Sequence, residues 1–376
     1  MKYYIIAGEA SGDLHASNLM KALLEKDPKA DFRYWGGDRM KEVGGTLVKH
    51  YKELSFMGFA EILKNLPTIF GNLKFCKKDI ANFQPDMVIF IDYSGFNLRI
   101  AKWAKQEGFY TNYYISPQIW ASRAKRVHAI KRDVNAVFVI LPFVKEFYKK
   151  YDVEVDFVGH PLIDAIAQRD QVDETNFRRQ NNLNEKPIIA LLPGSRKQEI
   201  SAMLSGMLSL VDDFKEYQFV IAGAPSQDYD FYQTFVKGQN VKFIENQTYA
   251  LLSIATAALV TSGTATLETA LFKVPQVVCY KANAISYAIA KRIITLEFIS
   301  LVNLIMNREV VKELIQKEFT KENLKGELAK LLKEDTRREM LESYEALEQK
   351  LGGAGASEKA ARLMLQKYFQ KNKTQG

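Results

Sequence analysis

The chain has 376 residues, 47% of them hydrophobic and 26% charged, with 52 basic against 44 acidic side chains and a formal net charge of +8. That length predicts two domains of ordinary globular composition, with no short-period repeat and no low-complexity tract, and the positive balance suits phosphorylated small molecules or anionic lipid. No nucleic-acid-binding signature stands out; the two cysteines, Cys76 and Cys279, are too isolated for a disulfide framework or zinc site and fit a reducing cytoplasm; and no apolar run is long enough to span a bilayer.

In chain order, the first element is the strand Tyr3–Ala7, so close to the start that no secretory signal is expected. Further short apolar runs follow at Phe32–Trp35, Met87–Ile91, Thr111–Ile115, Ala136–Ile140 and Val155–Val158, then at Ile188–Leu192, Phe219–Ala222, Val241–Ile244, Ala258–Thr261 and Gln276–Tyr280. Runs this apolar read as strands buried on both faces, hence as parallel sheets. Helical patterns at 14–26, 97–107, 143–151, 197–215 and 264–272 alternate with them, which predicts a doubly wound α/β class. The polar stretch 164–187 reads as a linker, dividing the chain into residues 1–165 and 166–350. Residues 351–376 form a last helix behind the glycines at 352, 353 and 355, free either to cross back to the first domain or to reach a partner subunit.

Several strings join a strand end to a helix start, where free N–H groups and the helix dipole favour an anion. The first is AGEASGD, Ala7–Asp13, with Gly8 and Gly12 permitting close approach; Ser11 or Asp13 as a plain N-cap explains it equally well. DMVIFIDYSGFN, Asp86–Asn97, puts Asp92 at the carboxyl end of a very apolar strand, as a proton acceptor of raised pKa or as a loop cap. YYISPQIWASRAKRVHAIKR brings cations after another strand, to meet a phosphate or to face solvent. In LPGSRKQEI, Leu192–Ile200, Arg196 is a cation in a helix's first turn, an arrangement that an anionic ligand would favour and that a surface pair with Glu199 would also explain. TSGTATLETALFKVPQVV, Thr261–Val278, offers a cradle at Gly263, Thr264, Ala265 and Thr266, with Glu268 one turn on and able to take a ribose. The segment Phe56–Phe75 mixes Phe, Leu, Ile and Met with lysines, as an interfacial helix or a core helix would. The histidines at 15, 50, 128 and 160 show no ligand spacing, so no metal is expected, and His160 reads as a loop-orienting residue.

Taken together and in order, AGEASGD, WGG, MGFAEIL, the Asp92 strand, YYISPQIWA, LPF, FVGHPL, LPGSRKQEI, SGTATLE and LVNLIMNREVVKEL resemble the lipid-A-disaccharide synthase family over most of the chain. The resemblance implies a GT-B fold, two Rossmann-like domains facing across a cleft, and a lipid A biosynthetic glycosyltransferase. Its substrates would be UDP-2,3-diacylglucosamine and 2,3-diacylglucosamine 1-phosphate, with no cofactor and no metal. A UDP-sugar 2-epimerase of the same fold is the alternative. Carried over by position, Asp92 is the base, and Ser195, Arg196, Gly263 to Thr266, Glu268 and Asn303 are the donor side. Gly8, Glu9, Ser11 and Gly12 line the acceptor side. Phe56–Phe75 meets the bilayer from the cytoplasmic face of the inner membrane, and homodimerisation is one use of the last helix. Two departures stand out: Gly95 occupies a position where many relatives carry a second acid, and Ser122 one where many carry a second tryptophan.

Overall fold

The computed structural model describes residues 1–54, 66–169, 171–224, 226–282 and 297–375. They form two compact units, one built from Met1–Gln168 with Leu351–Gly376 and the other from Arg169–Lys350. The string MGFAEIL and residues 56–65, half of the predicted interfacial stretch, lie outside the described residues.

The first unit carries a seven-stranded sheet of β1 (Lys2–Ala7), β2 (Asp31–Gly36), β3 (Thr46–His50), β4 (Met87–Ile91), β5 (Tyr110–Tyr114), β6 (Ala136–Val139) and β7 (Asp156–Phe157), in the order β3-β2-β1-β4-β5-β6-β7. The second carries β8 (Ile188–Leu192), β9 (Gln218–Gly223), β10 (Val241–Glu245), β11 (Ala255–Thr261), β12 (Gln276–Tyr280) and β13 (Lys312–Ile315), in the order β10-β9-β8-β11-β12-β13. All pairings are parallel. The central strands MVIFI and IIALL are buried at every position, because helices cover both faces of each sheet. In each unit the chain builds outward on one side and then crosses back: β1 neighbours β4, and β8 neighbours β11. The turns that follow such a pair diverge and leave a crevice at the carboxyl ends, where ligands of open α/β sheets bind.

The edge strands β3 (TLVKH) and β13 (KELI) are additions to the predicted set. Both are short, contain lysine and are only partly buried, so they lack the apolar run that marks a two-faced strand. The stretch read as a linker also holds structure. Helix Glu174–Gln180 buries Phe177 and Arg178, and the Arg178 guanidinium pairs with Glu174 and binds the carbonyls of Asn184 and Lys186.

Helix Ala356–Gln375 packs on helix Ala10–Lys26 within the first unit. Its Ala360, Ala361 and Met364 share one core with Ala16, Leu19 and Leu23. Asp164 fastens the helix start, accepting the backbone N–H of Gly355 at 2.6 Å and of Ser357 at 3.0 Å. Beside it, His160 caps helix Pro161–Ala167 by accepting the Leu162 N–H at Nδ1. Burial pushes the imidazoles of His15 and His160 down to about 4 and about 3.

Candidate active site

In the first unit β1 and β4 run side by side, with Ala7 opposite Ile91, so the turns that follow them are neighbours. Helix Ala10–Lys26 starts after Glu9 with no side chain capping it. Asp13 serves a neighbour instead: its buried carboxylate accepts N–H groups of Gly37, Arg39 and Met40, which holds the start of helix Asp38–Val43. After β4 the chain makes a left-handed turn through Asp92 (φ +40°) and Tyr93 (φ +46°). The Tyr93 ring then covers Gly8, where an added Cβ would come within 2.4 Å of ring carbons, so glycine is required there.

Asp92 is thus held between Glu9, Tyr93 and Tyr113. Burial, reinforced by the Glu9 charge and opposed by the Tyr93 N–H, pushes its carboxyl up to about 6. That value suits a group that must be ionised near neutrality and still accept a proton. Glu9 and Ser11 are exposed, whereas Gly12, expected among the lining residues, is buried. Its Cα faces Ala7, with the Cβ position 3.2 Å from the Ala7 methyl, so its part is close helix–strand packing. Arg126, from the segment after β5, donates to the Ser94 hydroxyl at 2.9 Å beside the turn.

In the second unit β8 and β11 are neighbours, and the turns 193–196 and 262–264 follow them. Gly194 has φ +109°, and a Cβ there would strike Glu199 at 2.8 Å. Glu199 folds back over its own helix start. It accepts the N–H groups of Ser195 (3.2 Å) and Arg196 (3.3 Å) and pairs with the Arg196 guanidinium at 3.2 Å. The surface pair is therefore the arrangement present, with Arg196 74% exposed and able to turn outward from it.

The second turn differs in having no such plug. Helix Thr264–Leu271 follows Gly263 with no side-chain cap and no acid in its first turn. Gly263 and Thr264 are exposed, and nothing lies within 4 Å of a Cβ at Gly263. Thr266 turns inward: fully buried, it donates its hydroxyl to the Gly263 carbonyl at 2.8 Å. Glu268 accepts the Tyr249 hydroxyl at 2.8 Å, and burial raises its pKa against that hydrogen bond.

Asn303, expected on the donor side, is fully buried and its amide is engaged within the fold. Its Nδ2 donates to the Val311 carbonyl and Glu313, and its Oδ1 accepts the Val310 and Val311 N–H groups. Both amide hydrogens and both oxygen lone pairs are used.

Tyr93, Tyr113 and Tyr249 belong to these sites and escaped the sequence reading, because tyrosine is as common in cores as in sites. Asn97 gave a fainter signal, as an amide on the helix face otherwise formed by Ile100, Ala101 and Ala104. Among the described residues, no group of His, Cys, Asp and Glu could hold a metal ion, and no helix is long and apolar enough to cross a membrane.

Comparison with known proteins fits this architecture. The chain resembles a solved UDP-GlcNAc 2-epimerase from Neisseria meningitidis, bound to UDP-GlcNAc, with a TM-score of 0.70 at 15% identity over 97% of this chain and 100% of that one. It also resembles a solved glycosyltransferase from Rickettsia africae, with a TM-score of 0.58 at 12% identity over 98% of each chain. At these identities the likeness shows the fold alone, which is GT-B. Sequence relatives are nearer. The lipid-A-disaccharide synthase of Syntrophus aciditrophicus is 38% identical over 373 residues, covering 96% of each chain. That of Coxiella burnetii is 36% identical over 333 residues, covering 87% of this chain and 88% of its own. The model of the family described as Lipid-A-disaccharide synthetase matches residues 3–367, and the chain belongs to that family.

Proposed function

We propose that the chain is an inverting glycosyltransferase that moves 2,3-diacylglucosamine from UDP to 2,3-diacylglucosamine 1-phosphate, giving lipid A disaccharide 1-phosphate and UDP. The observation that carries this reading is Asp92, a carboxyl raised to about 6 on a strained turn where β1 and β4 part. Asp92 takes the proton from the acceptor's 6-hydroxyl as that oxygen attacks C1 of the donor sugar. The bond from C1 to the diphosphate oxygen breaks, and UDP leaves with both bonding electrons. The charge that develops on the diphosphate meets the uncapped start of helix Thr264–Leu271, and Arg196 turns from Glu199 to join it. The free N–H groups of such a helix start favour the negative charge of a leaving group without a metal.

On this reading the first unit binds the acylated acceptor, with Glu9 and Ser11 near Asp92, and the second binds UDP. Phe70 and Phe75, 63% and 48% exposed on helix Leu66–Phe83, carry the contact with the bilayer. Exposed Lys74 and Lys78 follow Phe70 at helical spacing and suit anionic headgroups on the cytoplasmic face of the inner membrane.

The reaction is tested by supplying the UDP-diacylglucosamine alone and then with the acylated sugar phosphate. UDP release that depends on the second substrate is expected. Release or 2-epimerisation at full speed without it would favour the epimerase chemistry of the solved relatives and overturn the transferase. The donor side has its own test. If Glu268 holds the ribose, Glu268→Ala removes a hydrogen bond to a charged group, worth about 1.5–3 kcal/mol. Titration calorimetry should then show UDP binding weakened by roughly 10- to 100-fold, and unchanged affinity would remove Glu268 from that role.

A further inference from the structure

Asp92 and Tyr93 are consecutive side-chain-bearing residues in the left-handed region, with φ of +40° and +46°. Such a pair persists only where the surroundings over-determine it. Here the restraints converge on main-chain carbonyls. The Asn97 Nδ2 donates to the Asp92 carbonyl at 2.9 Å, to the Ile91 carbonyl at 3.2 Å and to the Ile6 carbonyl at 3.4 Å. The Tyr113 hydroxyl donates to the same Asp92 carbonyl. Asn97 is fully buried, and among the described residues its Oδ1 has no partner. Its Nδ2 hydrogen bonds set this amide apart from Ile100, Ala101 and Ala104 on the same buried helix face.

We propose that Asn97 is the positioning residue of the general base: by tying the ends of β1 and β4 to the Asp92 carbonyl, it holds the turn left-handed and fixes where the Asp92 carboxyl stands. This rests on the reading of Asp92 as the base. The groups that act on that carboxyl come from several elements: Glu9 after β1, the N–H of Tyr93 on the turn and Tyr113 on β5, while Arg126 beyond β5 acts on Tyr113 and binds the Ser94 hydroxyl. A turn that relaxes carries the carboxyl out of this setting and into water.

The test is a double-mutant cycle on the full chain, with Asn97→Ala made in the native and the Asp92→Asn backgrounds. In the native background kcat should fall about 30- to 100-fold, the loss that a misplacement near 1 Å produces. KM for the UDP-sugar should stay within about twofold, because the turn belongs to the other unit. The acid limb of the rate profile should move to lower pH. In the Asp92→Asn background Asn97→Ala should cost almost nothing further. Equal losses in both backgrounds would overturn the positioning role and leave Asn97 merely structural, and so would an unchanged kcat. Full turnover by Asp92→Asn alone would instead defeat the base itself, and the positioning role with it. Should Asn97→Ala fail to fold by circular dichroism, Tyr113→Phe takes its place in the cycle. It removes the other donor to the Asp92 carbonyl while keeping the ring that packs 5.8 Å from Phe90. Its kcat loss should also vanish when Asp92 is already Asn, and a loss that persists there would overturn the proposal.

Discussion

Asp92→Asn is expected to lower kcat by about 10²–10⁴-fold, the contribution of a general base, while UDP still binds and the protein becomes more stable. The two halves of that result have one cause. Asparagine keeps the size of the side chain and cannot take the acceptor's proton. Burial beside Glu9, which raises the Asp92 carboxyl from 3.8 to about 6, is a cost borne by the ionised form in the folded state. A folded pKa above the unfolded one contributes stability that is complete below the unfolded value and is lost as pH rises through the folded value. Above pH 6 the rise in pKa corresponds to roughly 3 kcal/mol. Part of this is screened because the group is only partly buried, so a gain of about 1–2 kcal/mol at pH 8 is the expectation. Native turnover should fall tenfold per pH unit below about 6, since the base must be ionised, and Asp92→Asn should lose that limb. Normal turnover by the variant, or an acid limb unchanged in it, would remove Asp92 from the chemistry. Lost turnover together with lost stability would point to a structural role.

The fold was legible because parallel sheets leave a strong mark. MVIFI and IIALL have no solvent face, so their apolar runs are continuous. β3 and β13 escaped because an edge strand is half solvated and reads as polar. Helix Glu174–Gln180 was hidden for a related reason: it buries little beyond Phe177 and Arg178. At the site, the positions of Asp92, Glu268 and the two glycine turns could be read because strand ends and helix starts follow from periodicity. Side-chain direction could not. Whether Thr266 or Gly12 faces a ligand or the core depends on a rotation of a few tens of degrees at a helix start. Both turn inward here. Asn303 was equally opaque, since its four hydrogen bonds go to a segment seven to ten residues away.

The second large effect is expected at the chain's end. Ending the chain before Ala356 removes Ala360, Ala361 and Met364 from the core of the first unit and uncovers Ala16, Leu19 and Leu23. Burying a side chain such as Met or Leu is worth about 1.5–3 kcal/mol. The loss therefore exceeds about 5 kcal/mol, which approaches the whole stability of a typical domain. The truncated chain should lose the cooperative unfolding of the first unit in urea while Arg169–Lys350 keeps its own transition. Point variants separate the forces involved. Asp164→Ala leaves the buried N–H of Ser357 and the partly buried N–H of Gly355 unpaired, at about 2–4 kcal/mol for the two. Glu358→Ala removes only the pair with Lys26 at 3.2 Å, whose carboxylate is 62% exposed. An exposed pair of that kind is worth less than about 1 kcal/mol. The histidines add a pH dependence to the same region. His15 and His160 are held neutral by burial, so their contribution is complete above about 6.5 and declines as pH falls toward about 4 and 3. Helix Ala356–Gln375 should accordingly be the first element to gain amide exchange at pH 5, and faster loss of Asp164→Ala than of Glu358→Ala under those conditions follows from the same packing. Equal urea midpoints for these two variants would show that the buried cap does not fasten the helix.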